Sequence, residues 1–140
     1  MRKTILTFII IGVLVTSCKD NIENELSGSW VVEQAYYNDE VVQWDLYTNA
    51  IQLNKDKTCD LPPIHSREER TLNEGKGIWE ALEKQGNSYL QIKTENWIFN
   101  RTFEIHNLRK VRDNKSFGFL MKMTLTADSL KLDCTKALYD

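Results

Sequence analysis

Histidine is almost absent from this 140-residue chain. Its two copies are His65, in the polar run PPIHSREER, and His106, in FEIHNL. Neither stands at metal-ligand spacing from a second donor or belongs to a recognisable triad pattern, although Asp60, Glu68 and Glu69 lie near His65. Carboxylates are plentiful, yet nothing in their order makes two of them converge on a substrate. A non-enzyme with no cofactor and no metal is therefore expected. A bilayer-spanning run is missing too, because the longest apolar stretch is 12 residues, against the roughly 20 a spanning helix needs. An excess of positive charge is also lacking, with 18 Lys+Arg against 20 Asp+Glu, which argues against a nucleic-acid partner. Finally, no window of about 11 residues or more keeps an apolar stripe of period 3.6, so amphipathic helices are not expected.

What is present begins at the N-terminus. Arg2 and Lys3 precede the uncharged stretch TILTFIIIGVLV, Thr4 to Val15, in the order of a secretory signal. That stretch ends in Val15-Thr16-Ser17-Cys18, which resembles the lipobox of bacterial lipoproteins: an aliphatic residue, two short ones, then cysteine. The resemblance implies cleavage before Cys18 and a diacylglycerol on its sulfur, giving a lipid anchor at the outer membrane. Each buried methylene adds about 0.8 kcal/mol of membrane affinity, so two or three acyl chains hold stably. Lys19, Asp20, Asn21, Glu23 and Glu25 follow, a start similar to the export signal of Bacteroidetes surface lipoproteins, although Asn21 interrupts the acidic run. Removing residues 1 to 17, which carry two of the 18 basic residues, leaves 123 residues with 16 Lys+Arg against 20 Asp+Glu. The expected organisation is a signal peptide over 1–17, a lipidated tether over 18–25 and one domain over 26–140.

Within that domain, short runs rich in β-branched and aromatic residues alternate with turn signals. About eight strands are expected: Gly28 to Tyr37, Ala50 to Leu53, Thr58 to Leu61, Gly77 to Glu83, Ser88 to Thr94, Ile98 to Leu108, Phe117 to Thr126 and Leu130 to Lys136. Asn54 to Lys57 and Lys84 to Asn87 read as hairpin turns. Period-2 alternation points Phe99, Phe103 and Ile105, then Met121, Met123 and Leu125, then Leu130, Leu132 and Cys134 inward. Sequential hairpins favour an up-and-down order, and eight strands avoid open edges by closing into an antiparallel barrel.

Leu26-Ser27-Gly28-Ser29-Trp30 opens the first strand and resembles the G-x-W signature of lipocalins. LNKDKTCDLP, GIWE and LTADSLKLDC resemble the lipocalin-like lipoproteins of Bacteroidetes. The resemblance implies a lipocalin-like barrel, with Gly28 and Trp30 as structural residues at its closed end and a basic residue from a late strand over that tryptophan. The chain is shorter than a typical lipocalin and shows no C-terminal helix.

Asn38 to Asn49 (NDEVVQWDLYTN) is too apolar for a purely solvated loop. In the lipocalin picture it folds over the barrel mouth, where Trp44 and Tyr47 either contact a ligand or seal the core. Arg101, between Phe99 and Phe103, is either an inward cation, set over a tryptophan or binding an anion, or is turned outward by a bulge after Trp97. Pro62 to Lys76 reads as a polar rim loop that either meets a partner or is simply solvated. Asp128-Ser129-Leu130 resembles the D-S/T-aliphatic site of Bacteroidetes O-glycosylation, implying a glycan on Ser129; a plain turn is the other reading. Cys59 and Cys134 fall on strands with two others between them, so they either pair through a narrow interior or act as buried apolar residues. The expected protein is a monomer that binds a small apolar or amphipathic ligand; the alternative is a barrel with a filled core whose rim loops dock an envelope protein. For the anchor, Cys18→Ala should abolish labelling by radioactive palmitate and release the chain from membranes. Unchanged membrane association overturns lipidation.

Overall fold

Period-2 alternation becomes nine strands among the described residues of the computed structural model, which are 21–42, 48–63, 75–115 and 118–138. The strands are β1 (Gly28–Tyr37), β2 (Glu40–Val41), β3 (Ala50–Leu53), β4 (Thr58–Asp60), β5 (Lys76–Lys84), β6 (Asn87–Thr94), β7 (Thr102–Arg112), β8 (Phe119–Ala127) and β9 (Leu130–Leu138). Every pairing is antiparallel, and β9 returns to pair with β1. The ring is therefore a closed, eight-stranded up-and-down barrel, with the two-residue β2 folded back on the end of β1. Closure removes the free edges that an open sheet would present to other chains.

The turns explain the register. Gln85 and Gly86 have φ of 53° and 82°, the left-handed pair that a two-residue hairpin turn needs and whose twist matches the flanking strands. They lock β5 to β6 over its whole length, from Lys84 opposite Asn87 to Gly77 opposite Thr94. Asn38 and Asp39, at 51° and 64°, do the same for β1 and β2. In the Asn54–Lys57 turn the Asp56 carboxylate accepts from the Thr58 amide at 3.0 Å and the Thr58 hydroxyl at 2.6 Å. Those two bonds hold the Asp56 carboxyl below its usual range.

One core fills the interior. Trp30, Ile51, Leu53, Leu90, Phe103 and Leu125 are fully buried, and burying each large apolar side chain contributes about 1.5–3 kcal/mol. Met121, Met123 and Leu125 on β8, and Leu130, Leu132 and Cys134 on β9, face inward as their alternation requires. The sixth expected strand starts later than its apolar run suggests. The amides of Phe99 and Asn100 both donate to the Asn96 carbonyl at 3.0 Å, so residues 97–100 form a turn and β7 begins at Thr102. Phe99 reaches the core from that turn, not from a strand.

The described residues before β1 are also more ordered than the tether expected over 18–25. Residues 21–26 are helical and lie across one end of the barrel, with Leu26 fully buried and Ile22 packed on the core. The carbonyls at a helix C-terminus lack intrahelical donors, and here each finds one. Ser27 donates from its amide to Glu23 O at 2.9 Å and from its hydroxyl to Glu23 O and Asn24 O. The Lys136 ammonium donates to Glu25 O and to Ser27 O. Trp30 Nε1 donates to Leu26 O at 2.6 Å. Lys136 Nζ also stands 4.7 Å from the Trp30 ring centroid, so it is the late-strand cation that the sequence did not identify. Gly28, at φ 123°, leaves room for it: a Cβ there would come within 3.1 Å of Lys136 Cδ.

Cys59 and Cys134 are buried free thiols and form no disulfide. The strand order places β3 and β1 between β4 and β9, and the interior separating the two cysteines is packed with side chains. Burial, reinforced by Asp60, pushes Cys59 up to about 11. Burial, with Asp133 and Glu33 nearby, pushes Cys134 up to about 12. Both thiols stay protonated at neutral pH and act as small apolar residues.

Lys136→Met keeps the aliphatic stem but removes the donors to Glu25 O and Ser27 O. Urea unfolding should show a loss of about 1–3 kcal/mol with an unchanged m-value. Lys131→Met, on the same strand as Lys136, takes an exposed cation from the ring of Tyr36 on β1 and from Asp133 and should cost less than about 0.5 kcal/mol.

Candidate functional site

β1 leaves the helix-capped end at Gly28 and reaches the opposite end at Tyr37. Three features mark that second end. The Asn38 amide donates to Ser129 O at 2.9 Å, joining the β1–β2 turn to the β8–β9 turn. The Tyr37 and Trp97 rings meet edge-to-face at 6.3 Å, bringing in the turn between β6 and β7. The Asn96 side-chain amide donates to Pro62 O at 3.2 Å, attaching the residues after β4. This is the barrel mouth.

The β6–β7 turn does most of the work there. Thr94 Oγ donates to Lys76 O at 2.6 Å and accepts from the Asn96 amide at 3.2 Å, fixing where β6 ends. The chain then drives Asn96 and Phe99 inward, both with no exposed surface, and leaves Trp97 outward at 55% exposure. Asn96 spends only half of its hydrogen-bonding capacity, because Oδ1 is buried with no partner. Arg101 closes the same turn: its guanidinium bonds back to Trp97 O at 3.2 Å, while its Nε is buried without an acceptor. One turn thus holds an unmatched buried acceptor and an unmatched buried donor, each lacking a partner of the opposite kind.

The structure separates the sequence-predicted residues. Arg101 precedes β7, half-buried, and the cation over Trp30 is Lys136. Trp44 and Tyr47 lie outside the described residues, as do Cys18, His65, Glu68 and Glu69. Ser129 is exposed in the β8–β9 turn at the mouth, beside an outer groove of about 530 Å³ lined by Tyr36, Asn38, Asp39 and Lys131. His106 lies on the outer face of β7, within 3.0 Å of Thr126 Oγ. Among the described residues no three His, Cys, Asp or Glu side chains gather to hold a metal ion. Sequence reasoning missed Asn96 and Trp97. Their signal was the pair of asparagines, Asn96 and Asn100, in the run NWIFNRTF, whose side-chain amides suit a turn better than a continuous strand.

Comparison with protein families, with curated proteins and with solved structures finds no match for this chain. Its reading rests on its own geometry.

Phe99→Ala checks whether the turn truly stoppers the core. The substitution should cost about 3–5 kcal/mol in denaturant unfolding, the range for emptying a well-packed aromatic site. A loss below about 1 kcal/mol would mean that the aromatic ring is not inserted.

Proposed function

We propose that this chain is a lipid-anchored, non-catalytic binding protein of the bacterial cell envelope, a monomer whose filled lipocalin-like barrel holds its mouth loops rigid for docking an envelope protein. The observation carrying this reading is the occupied interior. Trp30, Leu90, Phe99, Phe103 and Met123 fill the space between the closed end and the mouth, where a calyx would put its ligand. Binding is thereby moved to the outside, and the mouth offers an exposed aromatic braced by another: Trp97 against Tyr37. Rigid aromatic anchors of this kind are enriched at binding hot spots.

The anchor supports the same orientation. Asn21 begins the helical turn at the closed end, and an acylated Cys18 would stand three residues before it, a reach of about 11 Å at most. The closed end would then sit at the membrane, and the mouth, with Trp97 and the Ser129 turn, would point away from it. A glycan on Ser129 would be carried on that distal face.

A second reading has one observation in its favour. The unpartnered Asn96 Oδ1 and Arg101 Nε suit the polar head of a small amphipathic ligand lodged under the mouth loops.

Native mass spectrometry of the lipidated full chain purified from its host separates the two readings: a co-purifying protein favours docking, and a retained small molecule favours the ligand. Under the docking reading, Trp97→Ala should leave the melting temperature within about 2 °C yet weaken the complex by about 2 kcal/mol or more. Retention of full affinity in that variant overturns the assignment of the mouth as the docking face.

A further inference from the structure

A second recess lies on the outer wall, halfway between the two ends, and its cause is a pair of aligned bulges. On β1, Val32 faces Cys134 and Gln34 faces Asp133, so Glu33 is an extra residue. On β7, His106 faces Thr124 and Arg109 faces Lys122, so Asn107 and Leu108 together oppose Met123. Asn107 takes a left-handed φ of 55° to do so. Since Met123 faces Cys134 across β8 and β9, the two bulges stand at the same level on either side of one strand pair. Bulges bend and twist the strands that carry them. Together they cup the outer face into a groove of about 430 Å³, floored by the β8–β9 backbone at Met123 and Cys134.

The groove is charged in opposite senses at its two sides. Glu33 rises from β1 and is steadied by the Thr135 hydroxyl, which donates to Oε1 at 3.2 Å from a side chain more than nine-tenths buried. Asp133, next to it on β9, accepts from the Thr124 hydroxyl at 2.7 Å and is paired with the Lys131 ammonium at 3.7 Å, so Glu33 is the carboxylate without an ion pair among the described residues. Facing them are Lys122 on β8 and Arg109 on β7, which form no ion pair among the described residues. Neighbouring strands are about 4.8 Å apart, so Glu33 on β1 stands about 10 Å from Lys122 and about 14 Å from Arg109, while Asp133 on β9 is one spacing from Lys122.

From this arrangement we propose that the outer groove binds a short peptide with free termini, its ammonium at Glu33 and its carboxylate at Lys122 and Arg109. Charge complementarity sets the class, and spacing sets the length. A free α-amino acid is too short to reach from Glu33 to Lys122 or Arg109, whereas an extended tripeptide spans about 10 Å. The exposed backbone of the floor is already paired within the sheet, so affinity comes from the termini. This site is separate from the mouth and independent of what docks there.

The test is amide-resolved NMR titration of the full isotope-labelled chain with trialanine, N-acetyl-trialanine, trialanine amide, alanine and phosphoethanolamine, each to about 10 mM. Trialanine should shift the amides of Glu33, Lys122, Arg109 and Thr135 with saturation. Blocking either terminus should weaken binding by about tenfold or more, and alanine should not saturate. Glu33→Gln and Arg109→Gln should each weaken trialanine by about tenfold with melting unchanged, whereas Lys84→Gln, on a distant hairpin, should change neither. If the groove variants melt early, the blocked peptides on the unaltered chain decide. Equal binding of blocked and free peptides overturns the proposal, as does saturation by phosphoethanolamine without trialanine or the absence of any shift.

Discussion

Everything at the closed end depends on where the Lys136 ammonium can stand. It takes two carbonyls of the segment entering the barrel, Glu25 O and Ser27 O, and lies over the ring of Trp30, whose own N–H takes a third, Leu26 O. Burial pulls this ammonium below its ordinary value, and Glu25 pushes it back up. A short helix has little stability of its own, so residues 21–26 are held by what they touch. A second pair repeats the device on the other flank: Lys57 lies 4.7 Å over Trp79 while its ammonium pairs with Glu23, and Trp79 Nε1 donates to Asn54 O at 2.9 Å. Two lysine-over-tryptophan contacts thus clamp the helical turn from both sides, and Gly28 suits the junction because its φ of 123° strains any residue with a side chain and a Cβ there would crowd Lys136 Cδ at 3.1 Å.

Clamping that end has a consequence at the other. With the bottom sealed and each of the eight ring strands hydrogen-bonded to the next, the register is fixed around the ring, and the β1–β2, β6–β7 and β8–β9 turns meet at the mouth. The turns there are not loose. The Asn38 amide ties one to Ser129, Thr94 ties another to Lys76, and Phe99 fastens the β6–β7 turn to the core. Loops braced in this way lose little conformational freedom on binding, which favours recognition of a partner by a preformed surface.

Most of the barrel is legible in the sequence because every ring pairing except the closing one between β1 and β9 joins strands near one another in the chain. Alternation and hairpin chemistry are short-range signals, and they placed β1, β3 and the inward faces of β8 and β9 with the bounds now observed. What depends on residues far apart in the chain was not legible. Lys136 meets Glu25 across more than a hundred residues, and no local pattern distinguishes it from Lys131, which lies over the Tyr36 ring on the outer wall instead. The apolar run Trp97-Ile98-Phe99 reads as strand because its composition is that of a strand. It becomes a turn because the Asn96 carbonyl receives two amides, a choice made by hydrogen bonding and not by hydrophobicity. The segment 21–25 reads as tether by its charge, and folds because partners for its carbonyls arrive from elsewhere.

The bulges belong to the same kind of long-range bookkeeping, and they explain why core and groove cannot be varied independently. Val32, Cys134, Met123 and Leu108 share one inward level across four strands. On β1 and on β7 an extra polar residue, Glu33 and Asn107, is turned to the outer wall so that the apolar alternation can resume beyond it with Ala35 and Leu108. A deletion that straightened either strand would shift every later side chain on it to the opposite face, putting polar residues of β1 or β7 into a packed interior. The fold therefore retains the outer recess as a condition of keeping its core, and the charged residues at its rim are free to vary without touching that condition. Glu33 and Arg109 are where a binding specificity can be set at little risk to stability.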